Sequence, residues 1–254
     1  MIYEKILKIA GLSGKILLQS GAETYRVEET ITRICESFEV EDAHAFVTPS
    51  GFFISFSKDD KTFSKVYRSK QQNLNLEKIN LINDLSRKLV HHQISMEDTF
   101  IQLEAIEQQQ DYSSVIKIIA SGFIALCFTY FFQGSLMDGI CAFPIGIIIQ
   151  YLTHKLDNRG INSLVKILCL SCILTFLTLI LVNFNVAQSK DSIIMGCLML
   201  LVPGVAITNA IRDSISGDLI SGITRGIEAC LIALSIALGA GITMSLWMTY
   251  IGGI

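Results

Sequence analysis

The chain has 254 residues, of which 51% are hydrophobic, and a formal net charge of −3. That much apolar side chain argues for a membrane protein. A mildly acidic chain with no basic stripe and no aromatic-basic interleaving gives no reason to propose nucleic-acid binding. The charge is unevenly placed: residues 1–114 hold 13 Lys/Arg and 17 Asp/Glu, residues 115–254 only 7 and 6. The sequence therefore predicts a small α+β domain over 1–114, followed by a helical transmembrane domain over 115–254.

Residues 1–30 carry Glu4, Lys5, Lys8 and Lys15 among scattered apolar positions, without the continuous apolar core or cleavage site of a signal peptide. The first domain is expected to stay where it is made. Ile2, Ile6, Ile9, Ile16 and Leu17 recur on a helical period over residues 2–20, with a stop near Gly21. A second helix follows, with Thr24 as N-cap, Glu28 and Glu29 near its positive start, and Val27, Ile31, Ile34 and Phe38 on one face. Residues 44–48 and 52–57 read as strands joined by a Thr48-Pro49-Ser50-Gly51 turn, with Phe52, Ile54 and Phe56 alternating to one side. A third strand covers 62–68. Leu76, Ile79, Ile82, Leu85 and Leu89 mark a third helix, and Ser95 with Asp98 makes a capping-box-like start for a fourth.

After Asp111 the pattern changes to long apolar runs. Five transmembrane helices are expected, at Val115–Phe132, Ser135–Leu152, Leu164–Val182, Ser192–Ala210 and Gly226–Ile251. Five spans place the termini on opposite sides. Lys155, Arg159, Lys166, Arg212 and Arg225 flank loops on the side of the amino-terminal domain, whereas the other side has only Lys190. The positive-inside rule then makes the first domain cytoplasmic and leaves Ile254 outside.

Polar groups in the membrane half are few, so each is informative. The densest set follows Pro203-Gly204: Thr208, Asn209, Arg212, Asp213, Asp218, Arg225 and Glu228. Proline removes a helix hydrogen bond, and broken backbone at membrane depth usually lines a cavity. Pro203, Gly204, Thr208, Asn209, Arg212, Asp213, Arg225 and Glu228 are therefore candidates for a substrate pathway, with Asp213 or Asp138 coupling protons and Arg212 or Arg225 meeting a substrate carboxylate; the alternative is a helix that ends near Asn209 and is followed by an ordinary wet loop. Asp138, with Pro144 and Gly146 after it, is a weaker echo of the same arrangement; its alternative is a place in the outer headgroup region. Arg225 and Glu228 are one helical turn apart and can neutralise one another. Gly239 and Gly241 would let another helix approach closely. Cys169-Leu-Ser-Cys172 has a C-x-x-C spacing but sits inside an apolar run, where thiols pack as small hydrophobes. No metal site, cofactor or catalytic residue is expected, and the absence of G-x-x-x-x-G-K-[ST] argues against ATP hydrolysis.

Three patches together carry a family resemblance: Gly21-Ala22-Glu23-Thr24-Tyr25-Arg26-Val27-Glu28, then Phe46-Val47-Thr48-Pro49-Ser50-Gly51, then Pro203-Gly204 with Asn209, Asp213, Gly217, Gly222 and Arg225. In this order, ahead of and among membrane spans, they resemble the threonine/serine exporter family over essentially the whole chain. The likeness is to its larger amino-terminal half, which in many bacteria is a separate chain of the YjjP type. The resemblance implies a subunit of a gradient-driven exporter in the bacterial inner membrane. Its substrates would be threonine and serine or a dicarboxylate such as succinate, and its partner a smaller membrane subunit of the YjjB type, in an oligomer. It adds Gly21, Glu23, Glu28, Thr48 and Pro49 as motif candidates in the cytoplasmic domain. Two other readings stand beside it: a regulatory or assembly subunit of such an exporter, and a membrane-anchored hydrolase using Ser50 with His44 or His91. The hydrolase reading lacks G-x-S-x-G.

Overall fold

The computed structural model describes residues 2–69, 74–110 and 112–252. Its elements in chain order are α1 (Ile2–Gln19), α2 (Thr24–Glu36), β1 (Glu41–Thr48), β2 (Gly51–Lys58), β3 (Lys61–Arg68), α3 (Leu76–Val90) and α4 (Met96–Gln108). Then come α5 (Ser114–Phe131), α6 (Leu136–Asp157), α7 (Ser163–Asn183), α8 (Lys190–Leu198), α9 (Gly204–Ile215) and α10 (Leu219–Tyr250). The protein is mostly helical, with one three-stranded antiparallel sheet in the order β1-β2-β3. The chain divides into two compact units: residues 1–111 with 205–226, and residues 112–204 with 227–254.

In the first unit the alternation in β2 sends Phe52, Ile54 and Phe56 inward, where each is at most 1% exposed. Each such side chain contributes about 1.5–3 kcal/mol on burial. They meet Ile6, Ile9, Leu17, Ile31, Ile34 and Ile82 from the helices. α1 packs on β2 and β3, and α2 on β1. Thr48 closes the β1–β2 turn by donating its hydroxyl to the Gly51 carbonyl (2.9 Å). Ser95 caps α4 as expected, accepting from the Asp98 amide at 3.1 Å.

In the second unit α5, α6, α7 and α8 share a core of Ala125, Ala142, Ile145, Leu170, Leu174, Ile193 and Cys197. Gly239 of α10 lies where a Cβ would come within 2.5 Å of the Leu168 carbonyl of α7, so only glycine permits that approach; Gly241 faces open space. Among the described residues four helices are long and apolar enough to cross a membrane: α5, α6, α7 and α10. Only 22–44% of each apolar window is buried within the protein. Helices that stay apolar on their outward faces are suited to lipid.

Two expectations need correction. The predicted span Ser192–Ala210 is not one helix: α8 ends at Leu198, residues 199–203 are non-helical, and α9 begins at Gly204. Pro203 has no amide proton and pushes Val202 out of helical backbone, so the apolar run is cut in two. By contrast, α6 runs uninterrupted through Pro144, so Asp138 does not sit beside a broken helix. Ile254, expected outside, lies beyond the described residues.

Candidate functional site: a latch on the turn between the first two helices

α1 ends at a glycine in left-handed backbone, Gly21 (φ +84°). The Ala22 amide reaches back to Leu17 O (3.1 Å) and the Gly21 amide to Leu18 O (3.2 Å), a Schellman ending. The chain then turns straight into α2, whose N-cap position is Glu23 and whose first helical residue is Thr24; Glu23 makes no side-chain cap. Such a turn leaves the Gly21 and Ala22 carbonyls and the Thr24 amide without helical partners.

Residues 205–226 supply all three. Asn209 Nδ2 donates to Gly21 O (2.9 Å), and Arg225 Nη2 donates to Ala22 O (2.9 Å). The Asp213 carboxylate accepts the Thr24 amide on Oδ1 (3.0 Å) and the Thr24 hydroxyl on Oδ2 (3.2 Å). Arg212 pairs with the Glu23 carboxylate, which also lies 3.7 Å from Arg26. Four successive residues, Gly21 to Thr24, are thus each held by a side chain from α9 or the start of α10. Thr24, expected as an N-cap acceptor, is instead a donor, because the anion at the helix start comes from Asp213.

At the centre lies an ion pair, Arg225 Nε to Asp213 Oδ2 at 3.3 Å, with side chains only 4% and 0% exposed. α9 presents Asn209 and Asp213 four residues apart, on one face. It ends as α1 does: Gly217 (φ +96°) lets the Asp218 amide reach Asp213 O (2.9 Å) and the Gly217 amide reach Ser214 O (3.3 Å). α10 then folds back tightly, since a Cβ on Gly222 would stand 2.9 Å from Ala210 O.

Three further carboxylates surround the latch. Burial pushes the Glu23 carboxyl up, but a hydrogen bond from its own backbone, the side-chain bond from Arg212 and the charges of Arg26 and Arg212 together outweigh this and leave it below the ordinary value. Burial raises Glu28, with Asp218 and Asp213 adding to it against the Val47 amide, which donates to Glu28 at 2.8 Å. Burial and the Asp213 charge also raise Asp218, whose Oδ2 is buried without a hydrogen-bond donor. Glu28 also lines an open cleft of about 470 Å³ between α2 and β1.

The remaining candidates have other settings. Pro203 is in the break and Gly204 opens α9, with Thr208 on an exposed position of that helix. Glu228 is exposed, and Arg225 turns to Asp213 rather than to it. Asp138, in the second unit, is 1% exposed and accepts from Ser135 N (2.9 Å), Ser135 Oγ (2.8 Å), Gln188 N (2.7 Å) and Ser189 N (3.2 Å). It caps α6 and pins the approach to α8. Thr48 and Pro49 form the β1–β2 turn, where Ser50 Oγ lies 3.2 Å from Thr48 Oγ1. His44 faces Ser55 across the sheet and His91 caps the end of α3, so neither is placed beside Ser50 as a base. Among the described residues no three His, Cys, Asp or Glu side chains come together as a metal site.

Sequence reasoning separates Gly21, Glu23 and Glu28 from Asn209, Arg212, Asp213 and Arg225 as two groups of candidates. All but Glu28 make direct contacts in one latch, and Glu28 lies close enough to feel the Asp213 charge. Ala22 and Thr24 were missing from both groups. Ala22 acts through its carbonyl, which no side-chain pattern reveals.

Residues 8–247 match the ThrE family model, the threonine/serine exporter family. The chain is 20% identical to a Klebsiella aerogenes protein named "Probable succinate transporter subunit YjjP", over 91% of this chain and 90% of that one. The Escherichia coli protein of the same name is also 20% identical, over 92% and 91%. A Pichia sorbitophila protein, pheromone-regulated membrane protein 10, is 25% identical over 91% of this chain but only 23% of its own length. No solved structure matches. With the match spanning both the latch residues and the membrane helices, the chain belongs to the threonine/serine exporter family.

Proposed function

We propose that this chain is the larger membrane subunit of a gradient-driven exporter of small hydrophilic metabolites that carry a carboxylate, threonine and serine or succinate. It works in the bacterial inner membrane with a smaller membrane subunit of the YjjB type, its first domain in the cytoplasm. Family membership and the names of the two bacterial relatives support export and a subunit role. The observation that carries the mechanism is the latch: the polar residues that follow the Pro203 break are gathered on the turn between α1 and α2. In this reading the Pro203 break allows α9 to leave the turn it holds. Opening the latch would free Asn209, Arg212 and Arg225 for a substrate carboxylate, and Asp213 or Asp138 would take up the coupling proton.

The test is efflux from vesicles preloaded with labelled threonine, serine or succinate, with this chain alone and with its smaller partner, with and without a proton gradient. One solute leaving only with both chains and a gradient supports the proposal and names the substrate. No efflux of any of the three under all conditions sinks it.

A second reading, a regulatory or assembly subunit, is favoured by one observation. Asn209, Asp213 and Arg225 are already engaged within the first unit, on Gly21, Thr24 and Ala22 and in the Asp213–Arg225 pair. Asn209→Ala and Asp213→Asn separate the two: lost flux with intact assembly supports a transport subunit, and normal flux supports the accessory role.

A further inference from the structure

α9 has two unlike faces. Asn209 and Asp213 are buried against the turn they hold, and Ala210 is buried where Gly222 and Gly226 of α10 approach it. Ile207, Ile211 and Ile215, four residues apart, are 41%, 56% and 81% exposed. At about 100° per residue these two sets look in opposite directions along the whole helix. The apolar side does not stop with α9. Beyond Gly217 the first turns of α10 expose Leu219 (59%), Ile220 (66%) and Ile223 (60%), and α10 is one of the helices suited to cross a membrane.

We infer that α9 is an interfacial helix, lying in the plane of the membrane surface with Ile207, Ile211 and Ile215 in the boundary between headgroups and acyl chains of the lipid. This rests on the reading of α10 as a membrane span. The occupant is lipid because the exposed apolar face of α9 is followed in the chain, just after Gly217, by the exposed apolar start of a span, which must itself enter lipid. The orientation follows from the opposite face. Asn209, Arg212 and Asp213 hold polar groups of the first unit over more than a helical turn. A helix standing across the bilayer would carry that polar contact into hydrocarbon, whereas one lying flat keeps it on the aqueous side throughout. α9 has 12 residues, about 18 Å of helix, too short to cross a hydrocarbon core of about 30 Å.

The single tryptophan makes the test direct. In the full chain carrying Trp247→Phe, tryptophan is placed singly at Ile207, Ile211 and Ile215, with Leu238→Trp in mid-α10 as the reference for a span. All four side chains are exposed, so the substitutions do not enter the core. The proteins are reconstituted in phosphatidylcholine vesicles, and quenching is measured with lipids brominated at shallow or deep acyl positions and with aqueous acrylamide. The expected result is one common shallow depth for positions 207, 211 and 215, with weak acrylamide quenching, and deep quenching at 238. A depth that changes progressively by about 12 Å from 207 to 215, the rise of eight helical residues, overturns the inference in favour of a spanning half-helix. Strong acrylamide quenching without lipid quenching, or shielding from both by a protein partner, overturns it as well. Absence of lipid quenching at 238 brings down the membrane reading of α10 along with it.

Discussion

The carboxylate of Asp213 accepts the first helical amide of α2, at Thr24, across 189 residues of sequence. It does so while paired with Arg225 and with no exposure of its own. One side chain thus serves as cap, counter-ion and tether.

Breaking that pair from one side leaves a buried guanidinium without its anion. Asp213→Ala is expected to cost about 3–5 kcal/mol, read as a drop in the denaturant midpoint of the purified protein. Asp213→Asn keeps an acceptor for Thr24 and should lose less. The double change Asp213→Leu with Arg225→Met should cost less than the sum of the two single changes, because no unpaired charge remains. A strictly additive result would mean the two residues do not act as a pair.

The two helix-ending glycines allow backbone to be tested separately from packing. Gly217→Ala meets no neighbouring atom but must hold φ near +96°, whereas Gly204→Ala also meets none and has no positive φ. The first should destabilise by about 1–2 kcal/mol and the second should change stability little. Gly21→Ala, with φ +84° and Leu74 Cδ1 at 3.3 Å from the added carbon, should lose at least as much as Gly217→Ala.

The carboxylates around the latch predict opposing pH dependences. Glu28 and Asp218 are raised, so the folded state binds their protons more tightly than the unfolded chain does. Their contribution is most favourable at low pH and is lost as pH rises from the ordinary carboxylate range, about 4, through their raised folded values. Glu23 is lowered, so its contribution is present above the ordinary value and lost as pH falls through the lowered one. Glu28→Gln and Asp218→Asn should therefore raise the unfolding midpoint at pH 7 relative to pH 4, and Glu23→Gln should lower it at pH 7. Unfolding midpoints measured from pH 4 to pH 8 decide the signs.

Pro203→Ala restores an amide proton and relieves Val202. It is expected to extend helix into residues 199–203, with slower amide hydrogen exchange there. In the two-subunit efflux assay flux should fall while assembly is unchanged. Unaltered exchange and unaltered flux together would show that the break does not depend on proline.

Much of the fold was readable because period and punctuation act locally. The alternation of Phe52, Ile54 and Phe56, the Thr48–Gly51 turn and the Ser95 cap each need only near neighbours. Ser135 and Asp138 show the same Ser-x-x-Asp signature as Ser95 and Asp98, yet in an apolar run a carboxylate suggests a pathway before it suggests a cap. The apolar run of Ser192–Ala210 passes for a span because summed hydropathy does not register one missing amide proton at Pro203. For the latch, helical spacing puts Asn209 and Asp213 on a shared face but says nothing of what that face meets. Two motif patches can each be visible while their pairing stays hidden, since the contact joins backbone groups of one to side chains of the other.

The latch also sets an order of events during synthesis. α2 is complete on the ribosome long before Asp213 exists, and at about 5–20 residues per second the wait is roughly 10–40 s. Over that interval the Gly21 and Ala22 carbonyls and the Thr24 amide can be satisfied only by water. The first domain therefore finishes folding only after three of its companion membrane helices, α5, α6 and α7, have been made. A nascent chain stalled before Asn209 would display an unsealed domain.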